Sequence, residues 1–334
     1  MGQGAYIFGC EGLAVTEAER AFYAEAQPWG FILFARNVSD PEQLRRLTGD
    51  LREAVGRDAP VLIDQEGGRV QRMRAPHWKE WLPPLDFVVQ AGAGAERAMW
   101  LRYRLIAEEL RAVGIDVDCA PCADVAGADT HPVLRNRCYG SDPDQVAVLA
   151  RAVANGLLAG GVAPVMKHMP GHGRALVDSH LDLPRTSASL DLLESRDFAP
   201  FRALADLPMA MSAHVVFEAV DSKPATISPA MVGLIRDRIG FLGLLMTDDV
   251  SMQALQGNVA SRSEAALRAG CDMVLHCNGD LPEMQSIAAV AGRMGTAAQA
   301  RADRAAAARG RVEAIDIVAA EAELSSLMES GAHV

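Results

Sequence analysis

The stretch SDPDQVAVLARAVANGLLAGGVAPVMKH, residues 141–168, decides the fold of this chain. Its first part predicts a helix over Asp142–Gly160, because Ser141-Asp142-Pro143 supplies a capping aspartate followed by a proline at the first helical position. Its second part predicts a strand over Ala163–His168, since a nearly continuous apolar run is typical of a parallel strand buried on both faces. A helix that leads into such a strand is the repeating unit of a (β/α) protein.

Short β-rich runs of the same kind recur at broadly regular intervals along the chain. The predicted strands are Ala5–Phe8, Gly30–Phe34, Val61–Asp64, Asp116–Ala120, Ala163–His168, Met209–Val216, Leu242–Thr247 and Cys271–Cys277. Helix-like segments separate most of them, among them Pro41–Val55, Glu96–Val113, Ser189–Leu204 and Pro229–Ile239. Eight strands favour a closed barrel over an open doubly wound sheet, and no GxGxxG motif follows the first strand. We therefore predict an α/β fold, a (β/α)8 TIM-type barrel.

The length of 334 residues allows either two ordinary domains or one large barrel. No linker rich in Pro, Gly or Ser divides the chain, so a single domain over residues 1–334 is predicted. The Ala- and Arg-rich segment of about residues 292–328 then forms terminal helices that pack on the barrel.

Composition and charge restrict the partners and the location of the protein. The net charge of -11 argues against nucleic acid or an anionic membrane as a partner, because either needs a basic surface. The longest notable uncharged run, Ala152–Met166, is shorter than the roughly 18 residues of a membrane span. The N-terminus lacks the pattern of a secretory signal, and the six cysteines form no disulfide framework. These features predict a cytoplasmic protein, in which Cys119 and Cys122 of a lone CxxC are packing thiols.

Ionisable or amide side chains stand where six of the predicted strands end. They are Asp64 and Glu66 after the third strand, Asp124 after the fourth, Lys167-His168 on the fifth, His214 on the sixth, Thr247-Asp248-Asp249 at the seventh, and His276 and Asn278 at the eighth. Any one of them alone could be a hydrogen-bonded structural group. Because the chemistry of a (β/α)8 barrel belongs at the C-terminal ends of its strands, the six together predict a shared polar site.

The segment after the fifth strand, residues 169–188, is too long and too rich in Gly and Pro for an ordinary connection. It carries His172, Asp178 and His180. Asp178 and His180 are two residues apart, so the carboxylate can orient the imidazole and raise its pKa. Such a pair beside a second carboxylate is a candidate general acid and base. The plainer alternative is a loop solvated by its polar residues, and Arg174 near its tip has no assigned role.

A metal site is the rival interpretation of the histidines. His168 and His172 are four residues apart, but Pro170 and Gly171 between them prevent the regular helix that would present both on one face. The sequence also has no HExxH motif. A catalytic metal is therefore not predicted, and a metal-dependent amide or ester hydrolase on the same barrel stays open as an alternative.

Five segments resemble glycoside hydrolase family 3, and within it the bacterial β-N-acetylhexosaminidases of peptidoglycan recycling. In chain order they are residues 32–37 (ILFARN), 63–72 (IDQEGGRVQR), 167–173 (KHMPGHG), 178–180 (DSH) and 247–252 (TDDVSM). Met169 stands where the family more usually has Phe, and Thr247 replaces a common Ser. Neither position is catalytic.

The resemblance implies a retaining mechanism through a covalent glycosyl-enzyme, with Asp248 as the nucleophile and Asp249 as a supporting neighbour. It implies that His180 is the general acid and base and that Asp178 orients it, where most retaining glycosidases use a carboxylic acid. It also implies the residues that hold the N-acetylglucosamine ring, which are Asp64, Arg72, Arg137, Lys167 and His168.

The function implied by the resemblance is removal of terminal β-linked N-acetylglucosamine from peptidoglycan fragments, such as muropeptides that contain anhydro-N-acetylmuramic acid. The enzyme is expected to need no metal and no organic cofactor, and to be a monomer or a weak homo-oligomer. One alternative is a related glycosidase that acts on β-glucosides or uses phosphate in place of water. The other is the metal-dependent hydrolase named above.

Overall fold

The computed structural model describes residues 2–175 and 183–331. In chain order the strands are β1 Gly4–Gly9, β2 Pro28–Leu33, β3 Val61–Ile63, β4 Gln65–Gly67, β5 Val70–Gln71, β6 Val117–Asp118, β7 Ala163–Met169, β8 Arg185–Thr186, β9 Met209–Ser212, β10 Val216–Phe217, β11 Leu244–Asp249 and β12 Met273–His276. The α-helices are α1 Glu17–Ala26, α2 Pro41–Val55, α3 Pro84–Ala91, α4 Ala95–Ala112, α5 Pro132–Arg135, α6 Pro143–Ala159, α7 Leu190–Leu192, α8 Ala199–Ala203, α9 Pro229–Leu234, α10 Val259–Ala269, α11 Leu281–Ala291, α12 Thr296–Ala307 and α13 Ile317–Gly331.

Eight of these strands close into a parallel barrel in the order β1-β2-β3-β6-β7-β9-β11-β12, after which β12 pairs with β1. The predicted (β/α)8 TIM-type barrel is thus confirmed. The helices begin where the sequence places their caps: the Asp40 side chain accepts from two backbone N–H groups at the start of α2, and the Asp142 side chain accepts from one, that of Asp144, at the start of α6.

The sixth predicted strand, Met209–Val216, is shorter than expected, because β9 ends at Ser212. The N–H of Ala213 still donates to the carbonyl of Met169 on the neighbouring strand (2.8 Å), and the chain then leaves the barrel. Val216 and Phe217 form a separate parallel ribbon with β8. The apolar run therefore predicted the position of the strand correctly. It could not predict the residue at which the strand ends, because the apolar residues continue beyond the barrel.

The pleat of the strands explains how an apolar barrel ends in a polar site. Successive side chains of a strand point to opposite faces, so every second residue enters the barrel. The inward apolar layer includes Leu62, Val165 and Met246. Where the same strands end, charged side chains line a pocket: Asp64, Lys167 and Asp248.

The C-terminal helices lie on the barrel. Ala302 and Ala305 of α12 join the apolar cluster inside the barrel, and α13 packs on α3 and α4. The Arg97 and Glu323 side chains form an ion pair between α4 and α13 (2.7 Å). The single-domain organisation of residues 1–334 stays a prediction. Over the residues that the structure describes, no helix has both the length and the apolarity to cross a lipid bilayer.

Candidate active site

A polar cavity of about 210 Å³ opens at the C-terminal end of the barrel. Its polar lining consists of Asp64, Arg69, Arg72, Arg137, Lys167, His168, Asp248 and Asp249. Apolar side chains complete the wall, namely Ile32, Phe34, Val70, Met211, Met252, Leu275 and Cys277. The volume is below the roughly 300–1,000 Å³ of drug-sized ligand pockets, and the lining is rich in charge. The cavity therefore suits one small, hydroxyl-rich ring.

Asp64 is the centre of the first ion-pair group in this cavity. Its Oδ1 accepts from Lys167 Nζ (2.7 Å), and its Oδ2 accepts from Arg72 Nη2 (2.9 Å). The hairpin of β4 and β5 brings Arg72 back beside Asp64, because Gln65 Oε1 accepts from the backbone N–H groups of Arg72 and Met73. Burial opposes ionisation of Asp64, but Lys167 and Arg72 outweigh it and hold the pKa of the carboxyl well below its usual range.

Glu66 forms a second group directly behind the first. Arg137 Nε and Nη2 donate to its two oxygens at 2.9 and 2.7 Å, in the bidentate geometry that a guanidinium favours. Lys167 Nζ lies 2.5 Å from Glu66 Oε1, so one ammonium joins both carboxylates. Burial raises the pKa of Glu66, yet Arg137 and Lys167 together lower it to about 2. Burial opposes the charge of Lys167, and Asp64 and Glu66 raise its pKa well above the usual range.

His168 is fixed by a third buried carboxylate, Asp124. His168 Nδ1 donates to Asp124 Oδ2 (2.7 Å), which leaves Nε2 as an acceptor 3.4 Å from Arg137 Nη2. Asp124 Oδ1 accepts from the backbone N–H of His172 at 2.6 Å. Despite burial, the two histidines hold the pKa of Asp124 well below its usual range. Burial and the neighbouring His168 lower the pKa of His172 to about 4, so this ring is neutral at pH 7.

A possible metal-ligand set lies behind the cavity. The ligand atoms of Cys122, Asp124 and His168 are within 4.8 Å of one another. Asp124 already accepts from the His168 ring, and the Cys122 Sγ–H points to Asp124 Oδ2 at 3.4 Å. The Cys122 pKa is raised well above the usual thiol value, by its hydrogen bond with Cys138 and by burial. A protonated thiol and a donating imidazole stabilise the Asp124 carboxylate, which accounts for the cluster without an ion.

The structure distinguishes the two adjacent acids at the end of β11. The Asp249 carboxylate accepts from Ser251 N and Ser251 Oγ at 3.0 and 2.6 Å, and from Cys277 N at 3.3 Å. Asp249 therefore ties the loops after β11 and β12 together. Asp248 lines the same cavity, and its Oδ1 accepts from the backbone N–H of Asp249 at 2.8 Å. Both acids line the cavity, and the three contacts of Asp249 give it a structural role.

A buried hydrogen-bond chain supports the backbone at these acids. His214 Nε2 lies 3.0 Å from the carbonyl oxygen of Asp249, and a carbonyl can only accept, so Nε2 carries a proton. Burial lowers the pKa of His214, which keeps the ring neutral and makes Nδ1 an acceptor. Thr226 Oγ1 lies 2.8 Å from that Nδ1 and donates to the carbonyl oxygen of Ala213 at 3.0 Å, and Ser212 Oγ lies 2.8 Å from Thr226 Oγ1, so the three side chains form one buried hydrogen-bond chain.

The predicted residues that the structure describes converge on one cavity: Asp64, Arg72, Arg137, Lys167, His168 and Asp248. Asp178 and His180 lie outside the described residues. Arg174, which had no assigned role, donates to Asp197 at 2.8 Å. Cys119 packs inside the barrel, as predicted, and Cys122 contacts Asp124.

The sequence placed Glu66 among the polar residues at the strand ends and His172 in the loop after the fifth strand, but it predicted the contacts of neither. The spacing of Asp64 and Glu66 could have indicated that Glu66 joins the site, because residues i and i+2 of an extended chain point to the same side. No sequence pattern could have indicated the contact of His172 with Asp124, since the donor is the backbone N–H of His172.

A (β/α)8 barrel with a small, charged cavity at its C-terminal mouth and carboxylates in the cavity wall is an architecture that glycosidases use. The chain belongs to glycosyl hydrolase family 3: the sequence model of the family's N-terminal domain matches residues 10–311. The chain is 38% identical over 318 residues to a beta-hexosaminidase of Methylococcus capsulatus, covering 92% of each chain. It is 39% identical over 286 residues to a beta-hexosaminidase of Alkalilimnicola ehrlichii, covering 82% of this chain and 81% of that one.

Solved structures agree with this assignment. The NagZ protein of Neisseria gonorrhoeae, crystallised with N-trifluoroacetyl-D-glucosamine, superposes with a TM-score of 0.84 at 31% identity and covers 100% of this chain and 98% of that one. A family 3 β-N-acetylglucosaminidase of Paenibacillus gives a TM-score of 0.83 at 28% identity, covering 98% of this chain and 66% of that chain. The membership confirms the resemblance seen in the five sequence segments.

Proposed function

We propose that this glycoside hydrolase removes terminal β-linked N-acetylglucosamine from peptidoglycan fragments by a retaining mechanism. One observation carries the proposal. Asp248 lines the cavity at the end of β11, in the same wall as the Asp64 group with its partners Arg72 and Lys167. The beta-hexosaminidase names of the relatives and the N-acylated glucosamine bound to the Neisseria protein support the same substrate class.

The proposed chemistry has two steps. A carboxylate oxygen of Asp248 attacks the anomeric carbon while the glycosidic C–O bond breaks, and an acid protonates the departing oxygen. Water then attacks the anomeric carbon of the glycosyl-enzyme, gives its proton to the same group and releases Asp248. We assign the acid and base role to His180 oriented by Asp178, on the strength of the family resemblance.

The ion-paired groups of the cavity are the proposed binding site for the sugar ring. Asp64 accepts from sugar hydroxyls, while Arg72, Arg137 and Lys167 donate. An ammonium has three N–H donors, and Asp64 and Glu66 occupy two of those of Lys167, so one is left for the ligand. The Asp124 contact fixes His168 with Nε2 as an acceptor, which suits a hydroxyl or amide N–H of the substrate. These groups are fixed before binding, which limits the ordering cost.

The neighbouring acids provide the sharpest test. Asp248→Asn should lower kcat on an aryl β-N-acetylglucosaminide by a factor of about a thousand or more, because the nucleophile is lost. Asp249→Asn is the matched control, since it changes the adjacent residue by the same atoms. It should retain substantial activity and lose mainly stability, through the contacts to Ser251 and Cys277. Full activity of Asp248→Asn, or a larger loss in Asp249→Asn, would reverse the assignment.

Trapping identifies the nucleophile directly. A slow fluorinated N-acetylglucosamine analogue should label the wild-type enzyme with one glycosyl group, and peptide mapping should place it on Asp248. Comparison of aryl N-acetylglucosaminide with aryl glucoside, each with and without phosphate, separates hydrolysis of N-acetylglucosamine from the two glycosidase alternatives. Phosphate-dependent turnover would contradict the proposed hydrolysis. A cytoplasmic location and a monomeric or weakly associated state are part of the proposal, and cell fractionation and light scattering test them.

A further inference from the structure

One buried cation lies apart from the ion pairs of the cavity. Arg102 of α4 is fully buried and forms no ion pair with any residue that the structure describes. Its Nη2 donates to the backbone carbonyl oxygens of Glu66 and Leu82, the second at 2.9 Å. Its Nε and Nη1 have no hydrogen-bond partner among the described residues. Because burial of an unpaired charge is costly, the position of Arg102 needs a physical reason.

Aromatic rings surround Arg102 in place of a counter-charge. Its Cζ lies 4.6 Å from the ring centroid of Phe87, 5.4 Å from that of Trp81 and 5.7 Å from that of Tyr103. The face of an aromatic ring attracts a guanidinium, and the attraction is stronger where water is excluded. The three rings therefore stabilise the charge and confine the guanidinium beside the β4–β5 hairpin.

The hairpin leaves space for this guanidinium. Gly67 has a φ of +104°, and a Cβ at that position would collide with Arg102 Nη2 and lie 2.8 Å from the carbonyl oxygen of Leu82. Only glycine therefore leaves room for the hydrogen bond from Arg102 to the preceding carbonyl, that of Glu66. Tyr103 Oη lies 3.4 Å from the same carbonyl oxygen. The backbone at Glu66 is thus fixed from the side of α4.

Glu66 connects this contact with the cavity. Its carboxylate accepts from Arg137 at 2.9 and 2.7 Å and lies 2.5 Å from Lys167 Nζ, and both cations line the cavity. A shift of the Glu66 backbone would therefore move the acceptor that both cations share. Arg102 itself does not line the cavity, so its effect on a ligand passes through Glu66.

We propose that Arg102 is a positioning residue of the sugar-binding site. Its hydrogen bond to the Glu66 carbonyl holds the Glu66 carboxylate in place, and this carboxylate fixes Arg137 and Lys167 for the ligand. The inference rests on the proposed binding role of the cavity. An ordinary buried charge would affect stability alone, whereas Arg102 affects the affinity for the sugar ring.

The test measures how tightly the ring itself binds. N-acetylglucosamine serves as a competitive inhibitor of the hydrolysis of an aryl β-N-acetylglucosaminide, and its inhibition constant Ki is measured. Arg102→Met keeps an unbranched side chain against the aromatic rings but removes the donors. It should raise Ki about tenfold and change kcat by less than about threefold, as expected for a loss of uniform binding. Arg102→Lys keeps a charge and donors, so it should raise Ki only about threefold.

A double-mutant cycle with Glu66→Gln shows whether Arg102 acts through Glu66. Glu66→Gln should raise Ki by itself. Arg102→Met should then add less than about a factor of two, because the carboxylate that Arg102 positions is already absent. If the two effects multiply in the double variant, the residues act independently and the proposal is overturned.

Arg104→Met is the matched control. Arg104 lies on the same helix, is also buried, and donates to the Glu108 carboxylate and to the carbonyl oxygen of Glu313, each at 3.0 Å. The substitution should lower stability and leave Ki unchanged. An unchanged Ki in Arg102→Met, or an equal rise in Arg104→Met, overturns the role of Arg102.

Two further outcomes are also decisive. Failure of the wild-type enzyme to hydrolyse the aryl β-N-acetylglucosaminide would overturn the proposed function instead, and this inference with it. If Arg102→Met fails to fold, Arg102→Lys takes its place: an unchanged Ki, or a rise that is equally large in the Glu66→Gln background, overturns the proposal.

Discussion

Replacement of Glu66 by Gln tests the charge network behind the cavity. Glu66 is 1% exposed and joins two buried cations, Arg137 and Lys167. Glutamine has the same shape but no charge: its oxygen can keep the two contacts made at Oε1, by Lys167 Nζ and Arg137 Nη2, but its amide N–H₂ then faces Arg137 Nε, which is also a donor. The substitution therefore leaves a buried cation short of its counter-charge, which is more costly than the loss of an exposed pair.

The size of the expected loss in unfolding free energy follows from the pKa of Glu66. A folded-state pKa of about 2, against 4.5 for the unfolded chain, corresponds to about 3 kcal/mol of unfolding free energy at pH 7. Because the folded pKa is depressed, this contribution is fully present above about pH 4.5 and is lost as the pH falls through 2. The difference in stability between wild type and Glu66→Gln should thus be constant from pH 8 to pH 6 and should shrink below pH 4.5.

Urea unfolding followed by tryptophan fluorescence at pH 7 and pH 4 measures both quantities. The control is Glu80→Gln, which removes the same charge from an exposed pair with Arg74 (2.8 Å), and it should cost less than about 1 kcal/mol at pH 7. A loss below 1 kcal/mol for Glu66→Gln, or a loss equal to that of Glu80→Gln, would refute the reasoning. So would a difference that grows as the pH is lowered.

Two further outcomes concern the His168 side of the site. Asp124→Asn replaces the carboxylate that accepts from the His168 ring, so kcat/KM for the aryl N-acetylglucosaminide should fall about tenfold or more while the far-ultraviolet circular dichroism is retained. An unchanged kcat/KM would show that His168 needs no such support. Dialysis against a chelator should leave kcat/KM unchanged, because Asp124, His168 and Cys122 satisfy one another. A loss that zinc restores would favour the metal-dependent alternative.

The barrel itself could be predicted from the sequence, because its signals are local. Pro143 after a capping Asp142, and the apolar run that begins at Ala163, each depend on a few neighbouring residues. The shared polar site could also be predicted, since polar residues follow the strands in the sequence and the barrel architecture places the C-terminal ends of all strands at one mouth. The family segments then suggested roles for Asp248 and for the proposed sugar-binding residues, and the membership of the family is shown by the match to residues 10–311.

Only the tertiary structure decided which of these polar groups contact one another. Lys167 and Asp64 are 103 residues apart, and Asp124 and His168 are 44 apart, and no local pattern encodes such pairs. The contacts of Asp249 also needed the fold, since the loop after β12 supplies the Cys277 N–H to its carboxylate. Sequence determines which residues alternate along one strand, but pairing between strands depends on register and closure, which form only when the whole barrel packs.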